Sequence, residues 1–341
     1  SSMKLKFAAL SVAAAALVAL TAQPASAQQK LTMAYWWGPK HQMMKSQQAW
    51  IETVEKASGG NLKIEMDTAG IGKPPGQYDL VKNGVRDMVW FIAGYTPGRF
   101  SLYQIAELPF VCPNATTCAP ALWDWYAEND LEKMEFTDSK LVASFVHGPG
   151  LLHSNKPFPT VESLVNVKVR AGGSNVAIGK ALEMAVVSMP ASGAYEAIQR
   201  NTVEAIFFPW EAVNSFRLNE VAHYHMEVPG GMYASSFGYN INPKAWDGLS
   251  AGNKEALMKA GGHAGSVFMG KRWDAADEVA RKDALSRSDN QVATLAAAEL
   301  PKLRKKLDVV RTNWIDMANK KGLNGQKLYE DFLAKVQANT M

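Results

Sequence analysis

Cysteine is nearly absent from this chain: 341 residues carry two, Cys112 and Cys118. The pair lacks C-x-x-C spacing, which argues against thiol redox catalysis. Charge of one sign is also missing, because 36 Lys and Arg face 32 Asp and Glu for a net +4. Such a balance speaks against a nucleic-acid stripe or a membrane-surface patch. After the first twenty residues no apolar run is long enough to cross a bilayer. Phosphate-cradling loops are lacking too: Gly70-x-Gly72-Lys73 does not have the Walker spacing, and Gly172-Gly173-Ser174 is no dinucleotide fingerprint. No internal repeat and no low-complexity tract follows the amino-terminal segment.

What that segment does contain is Lys4 and Lys6, an apolar run over 7–20, and Ala25-Ser26-Ala27. This is a basic region, a short hydrophobic region and a small-residue cleavage site, the pattern of a secretory leader cut after Ala27. Ser1-Ser2 ahead of Met3 read as an expression remnant. Cleavage leaves 341 − 27 = 314 residues and, with two lysines removed, a net charge of 4 − 2 = +2. A soluble, exported protein of about two domains is expected, and a chain this long can bury its cores without a structural metal. In an oxidising compartment Cys112 and Cys118, in a proline-bounded loop, are expected to pair; two unpaired surface thiols are the plainer alternative.

Along the chain strands and helices alternate. Strands are expected over 31–37, 62–68, 88–93 and 237–241, and helices over 42–57, 253–286, 294–320 and 325–337. The densest stretch is 161–213. It reads as a strand ending near Arg170, a helix over 175–183, a strand ending at Met189-Pro190, a helix carrying Tyr195 to Arg200, and the strand 205–208 closed by Pro209. The order β, α, β, α, β marks a parallel sheet whose ligands sit beyond the carboxyl ends of the strands, where Arg170 would stand.

Several patterns invite catalytic readings. Gly248-Leu249-Ser250-Ala251-Gly252 fits G-x-S-x-G. A helix N-cap explains Ser250 better, because the only later histidine, His263, falls in the same expected helix. His223-x-His225 offers two metal ligands where zinc takes three or four. His147 and His153, near the expected domain crossover, read as hinge or surface residues. No catalytic set, metal site or cofactor emerges, although a ligand-associated cation stays open.

Lys168-Val169-Arg170 before a helix, Met189-Pro190 before Tyr195, Ala197, Ile198 and Gln199, and the step Gly84-Val85-Arg86-Asp87 resemble the periplasmic solute-binding proteins of TRAP transporters, the DctP-type family. The resemblance runs from about residue 30 to about residue 336. It implies a two-domain α/β periplasmic-binding-protein fold, each domain a sheet flanked by helices, with the ligand cleft between them and long helices spanning both. The first domain would hold 28–147 and 236–275; the second, 148–235 with 276–341. It further implies a non-enzymatic receptor, a monomer, that closes on an organic acid and passes it to membrane permease subunits, with Arg170 as the carboxylate clamp. A guanidinium suits that role because its planar fork matches a carboxylate with two parallel hydrogen bonds.

The departures from the family pattern bear on the ligand. Where family members carry "Asn-Gly-x-Arg" the chain has His147-Gly148-Pro149-Gly150, and where they carry "Gln-Glu-Asn-Pro" it has Ile206-Phe207-Phe208-Pro209. With Trp210, Tyr195, Tyr35, Trp36 and Trp37 nearby, and about half of these rings assigned to the core, the cleft reads as one clamp among aromatic walls. An aromatic or apolar monocarboxylate is the expected ligand. A C4-dicarboxylate or 2-oxo acid is the alternative, and a periplasmic serine hydrolase using Ser250 is the rival from another class.

Overall fold

The structure, a computed structural model, describes residues 27–340; the expected leader, apart from Ala27, lies outside them. Eleven strands are present among these residues: β1 (Gln29–Met33), β2 (Leu62–Met66), β3 (Met88–Ile92), β4 (Lys140–Val146), β5 (Leu151–Ser154), β6 (Lys168–Ala171), β7 (Ala185–Ser188), β8 (Ala205–Phe208), β9 (Tyr224–Glu227), β10 (Ser236–Ile241) and β11 (Gln291–Thr294). They form two mixed sheets, ordered β2-β1-β3-β10-β4 and β11-β9-β5-β8-β6-β7. Each sheet with its flanking helices makes one lobe, and the chain crosses between them after β4, again before β10, and a third time between β10 and β11.

The second sheet places Arg170. In β6 and β8, neighbouring side chains alternate between faces. Val169, Ala171, Ala205 and Phe207 join one apolar cluster with Ile178 of the following helix, whereas Ile206 and Phe208 join another on the opposite face. Parallel pairing sets Arg170 beside Val187 on one side and Ile206 on the other, so Arg170 shares the face of Phe208. The strand and helix order expected over 161–213 is present, with β7, β6 and β8 running parallel. β5, β9 and β10 pair antiparallel within the two sheets, which makes both of them mixed.

Several elements differ from expectation. β1 stops at Met33, leaving Tyr35, Trp36 and Trp37 in the connection beyond it. The helix expected over 253–286 is two, Ala251–Ala260 and Gly262–Ser286. The break falls where Gly262 takes φ +56° and a side chain on Gly261 would stand 2.3 Å from the Val142 carbonyl oxygen; only a glycine passes so close to a backbone. The helix expected over 294–320 begins at Leu300, because 291–294 form the short exposed strand β11 beside β9. The 25-residue helix Gly262–Ser286 packs on β4 and the helix Ala115–Glu128 in one lobe and on the helix Trp210–Ser215 in the other. Cys112 and Cys118 form a disulfide with Cα atoms 5.4 Å apart. Cys118 lies in the first turn of the helix Ala115–Glu128 rather than in a loop, and both residues are buried.

Candidate functional site

Between the lobes lies a narrow cavity, about 40 Å³ in volume. The first lobe supplies Trp36, His41, Trp90 and Tyr95; the second supplies Arg170, Phe208, Glu211 and Phe216; Trp273 enters from the spanning helix.

Arg170 is 1% exposed. Its Nε and Nη2 donate to the Met189 carbonyl at 3.1 and 2.9 Å, Nη1 donates to the Phe207 carbonyl at 3.3 Å, and Nη2 also reaches the Tyr95 hydroxyl at 3.3 Å. The guanidinium stands 4.3 Å from the centre of the Phe208 ring. Among the described residues it has no carboxylate partner, only neutral oxygens and a π face. A buried cation without a counter-charge is costly, and an incoming carboxylate supplies one. The close fit involves Gly172, where an added Cβ would stand 2.5 Å from Arg170 Nη2.

Burial favours the neutral forms of two imidazoles and one carboxyl in the cavity wall. Burial lowers His41 to about 3 and His147 to about 4, and burial raises Glu211 to about 8. Arg170 is thus the one fixed charge in that wall.

Rings fill most of the remaining surface. Trp90 and Trp36 stack at 15°, Trp36 and Phe216 at 12°, and Phe216 and Phe208 at 22°, a ladder that crosses from one lobe to the other and ends on Arg170. Three indole nitrogens in the wall, those of Trp36, Trp90 and Trp273, are buried without a protein acceptor. Buried donors are ordinarily paired, so the wall suits a ligand bearing oxygens.

The lobes meet closely. Gly94 and Gly173 approach until a Cβ on Gly94 would lie 2.9 Å from the Gly173 Cα. The Ala191 N–H donates to the Tyr95 hydroxyl at 2.9 Å, and the Gln42 N–H donates to Ser215 Oγ at 3.2 Å. The Ser174 hydroxyl donates to Glu107.

Of the residues expected at the site, the structure brings together Arg170, Phe208 and Trp36. Trp37 and Trp210 are buried, Trp37 behind Trp36 and Trp210 against His153 and His225. Tyr35 packs on Trp37. Gly150 faces the Tyr233 ring, which a Cβ would meet at 2.0 Å. The Tyr195 hydroxyl turns away to donate to Glu220 at 2.6 Å. None of these five lines the cavity. His147 and His153 are buried, not at the surface: His147 is in the cavity wall, and His153 bridges His225 and the Phe208 carbonyl. Tyr95, Trp90, Phe216, Trp273, His41 and Glu211 escaped the sequence reading. Only Glu211 and Phe216 carried any signal, being within eight residues of Phe208.

The hydrolase reading fails on geometry. Ser250 Oγ accepts the Asn253 N–H at 3.1 Å as an N-cap, and His263, in the next helix, pairs with Asp124. No group of three potential metal ligands occurs among the described residues, nor any helix long and apolar enough to cross a membrane.

Residues 33–316 match the profile of bacterial extracellular solute-binding protein family 7, DctP. A TRAP periplasmic solute-binding protein from Bordetella bronchiseptica, solved with (R)- and (S)-mandelate, is similar at a TM-score of 0.86 and 28% identity, covering 91% of this chain and 99% of its own. One from Rhodoferax ferrireducens, in complex with copurified benzoate, gives 0.85 and 28% over 92% and 99%. A marine-metagenome protein specific for aromatic acid ligands, solved with 3-hydroxybenzoate, gives 0.86 and 28% over 93% and 100%.

Proposed function

This chain belongs to the DctP family of bacterial extracellular solute-binding proteins, a periplasmic and non-enzymatic family, and from that premise we propose that its cavity closes on an aromatic monocarboxylate. The observation that carries the proposal is Arg170 standing as the one fixed charge in a wall of rings. The ligand carboxylate takes the guanidinium, and its ring lies against Phe208, Phe216 and Trp36. A dicarboxylate would leave its second charge facing neutral groups, at a desolvation cost of several kcal/mol. The mandelate, benzoate and 3-hydroxybenzoate bound by three similar proteins support the same class.

In this reading closure works by population shift, because only the closed form offers contacts from both lobes. The hinge runs between a lobe of 28–147 with 236–275, on which the carboxyl-terminal helix Gly325–Thr340 also packs, and a lobe of 148–235 with the strand Gln291–Thr294. The chain is exported, cut after Ala27, acts as a monomer and hands its ligand to the permease of a TRAP transporter. A thermal-shift competition between succinate and benzoate, hydroxybenzoates, phenylacetate and mandelate tests the ligand class. The largest shift is expected with an aromatic acid, and a larger shift with succinate than with every aromatic acid overturns the reading.

A further inference from the structure

Glu211 and His41 are both buried in the cavity wall and both keep an unused polar atom. Glu211 is 4% exposed; its Oε2 accepts the Ser215 hydroxyl at 2.7 Å, and Oε1 has no protein partner among the described residues. Its own N–H donates to Asp277 Oδ1 at 2.8 Å, which anchors the residue to the spanning helix. His41 is 3% exposed, and the Met43 N–H donates to its Nδ1 at 3.1 Å. An imidazole nitrogen that accepts a backbone N–H carries the lone pair, so in the neutral ring Nε2 carries the proton. That N–H has no acceptor among the described residues. Ser215 Oγ, which donates to Glu211, also accepts the Gln42 N–H at 3.2 Å and so ties Glu211 to the backbone next to His41.

Their place relative to the clamp follows from the rings. Phe208 lies on Arg170, Phe216 stacks on Phe208 with centroids 5.5 Å apart, and His41 meets Phe216 edge-on at 5.0 Å. His41 is therefore two phenyl rings removed from the guanidinium, and Glu211, three residues beyond Phe208, lines the same cavity. Resting on the reading above, we propose that the pole formed by His41 and Glu211 receives a hydroxyl on the far edge of the ligand ring, so that the preferred class is a hydroxylated aromatic monocarboxylate.

A hydroxyl both donates and accepts. The ligand hydroxyl accepts the His41 Nε2–H and hydrogen-bonds Glu211 Oε1, accepting from it where the carboxyl proton sits there and donating to it where it does not. Burial keeps Glu211 largely protonated at neutral pH, so the pole does not repel the ligand's own charge. Sites that pair a substrate hydroxyl reject the analogue lacking it, because the buried partners are then left unpaired.

Titration calorimetry on the mature chain with benzoate, 3- and 4-hydroxybenzoate, and 3- and 4-methylbenzoate tests the proposal. At least one hydroxybenzoate is expected to bind about tenfold or more tightly than both benzoate and its methyl counterpart, and in Glu211→Leu that ratio is expected to fall to about threefold or less. Hydroxybenzoates no tighter than methylbenzoates in the wild type, or the wild-type ratio surviving in Glu211→Leu, overturn it. Should Glu211→Leu fail to fold, the wild-type panel alone decides. Binding of benzoate and methylbenzoates with no gain from hydroxyl defeats this proposal and leaves the aromatic reading standing; binding of no aromatic acid defeats both.

Discussion

The Tyr95 hydroxyl, from the first lobe, lies 3.3 Å from Arg170 Nη2 in the second and accepts the Ala191 N–H at 2.9 Å. One phenol oxygen thus touches the clamp and ties it to the opposite lobe. Tyr95→Phe leaves the Ala191 N–H without its acceptor in the closed form only. The expected outcome is a loss of about 1–3 kcal/mol of ligand affinity, the cost of unpairing a buried polar group. Calorimetry of the variant beside the wild type checks it, and an unchanged dissociation constant would show that the contact does not serve closure.

Gly172 keeps Arg170 in position. A Cβ there would lie 2.5 Å from Arg170 Nη2 and 2.7 Å from the Met189 carbonyl oxygen that the guanidinium donates to. Gly172→Ala should displace the clamp and weaken binding by about tenfold or more, since overpacked contacts of this kind cost about 1–3 kcal/mol. Gly38→Ala, whose Cβ meets nothing within 4 Å, is the control and should bind as the wild type does.

Stability should fall on both sides of a mildly acidic optimum. Burial lowers His41 from 6.5 to about 3 and His147 from 6.5 to about 4, so the folded state binds fewer protons than the unfolded one there. Their contribution is complete above 6.5 and is lost as the pH falls towards 4 and then 3. Burial raises Glu107 from 4.5 to about 7 and Glu211 from 4.5 to about 8, so their contribution is complete below 4.5 and is lost as the pH rises through 7 and 8. Melting of the ligand-free protein across this range reads the profile. Glu211→Gln should flatten the alkaline limb, and a limb equally steep in that variant would assign it to other groups.

The Cys112–Cys118 disulfide closes a short loop of sequence separation 6. Loop-closure entropy gives such a link about 2 kcal/mol. Replacing both cysteines with serine should lower the urea unfolding free energy by about that amount. No change would mean that packing of the helix Ala115–Glu128 holds the segment without the bond.

The part of the site that was legible in the sequence is the part built by one continuous stretch. From Lys168 to Phe208 the strand and helix periods, Met189-Pro190 and the closing Pro209 fix the local order, and with it Arg170 and Phe208 on one face. Trp36 was legible because it follows β1 directly. Tyr95 and Trp273 could not be found this way: they reach the cavity through lobe closure and through the spanning helix, and neither leaves a local pattern. Trp90 sits in β3, where all five residues are buried, so no alternation shows which face it takes. The helix break was signalled by the Gly261-Gly262 pair, both poor helix formers, and its place is set by the nearby Val142 carbonyl. β11 went unassigned, with only its last residue, Thr294, inside the expected helix, because Gln291–Thr294, three of them exposed and Val292 half-buried, form a strand only by pairing with β9.

The central claim is that a ligand carboxylate rests on Arg170, and calorimetry of benzoate or the best hydroxybenzoate against wild type and Arg170→Ala tests it most directly. Removing one partner of a buried charge pair costs about 2–5 kcal/mol, so binding to Arg170→Ala should weaken by about thirtyfold or more while the ligand-free protein still folds. Binding of the aromatic acid to a folded Arg170→Ala within about threefold of wild type, a difference of less than about 1 kcal/mol, would contradict the account.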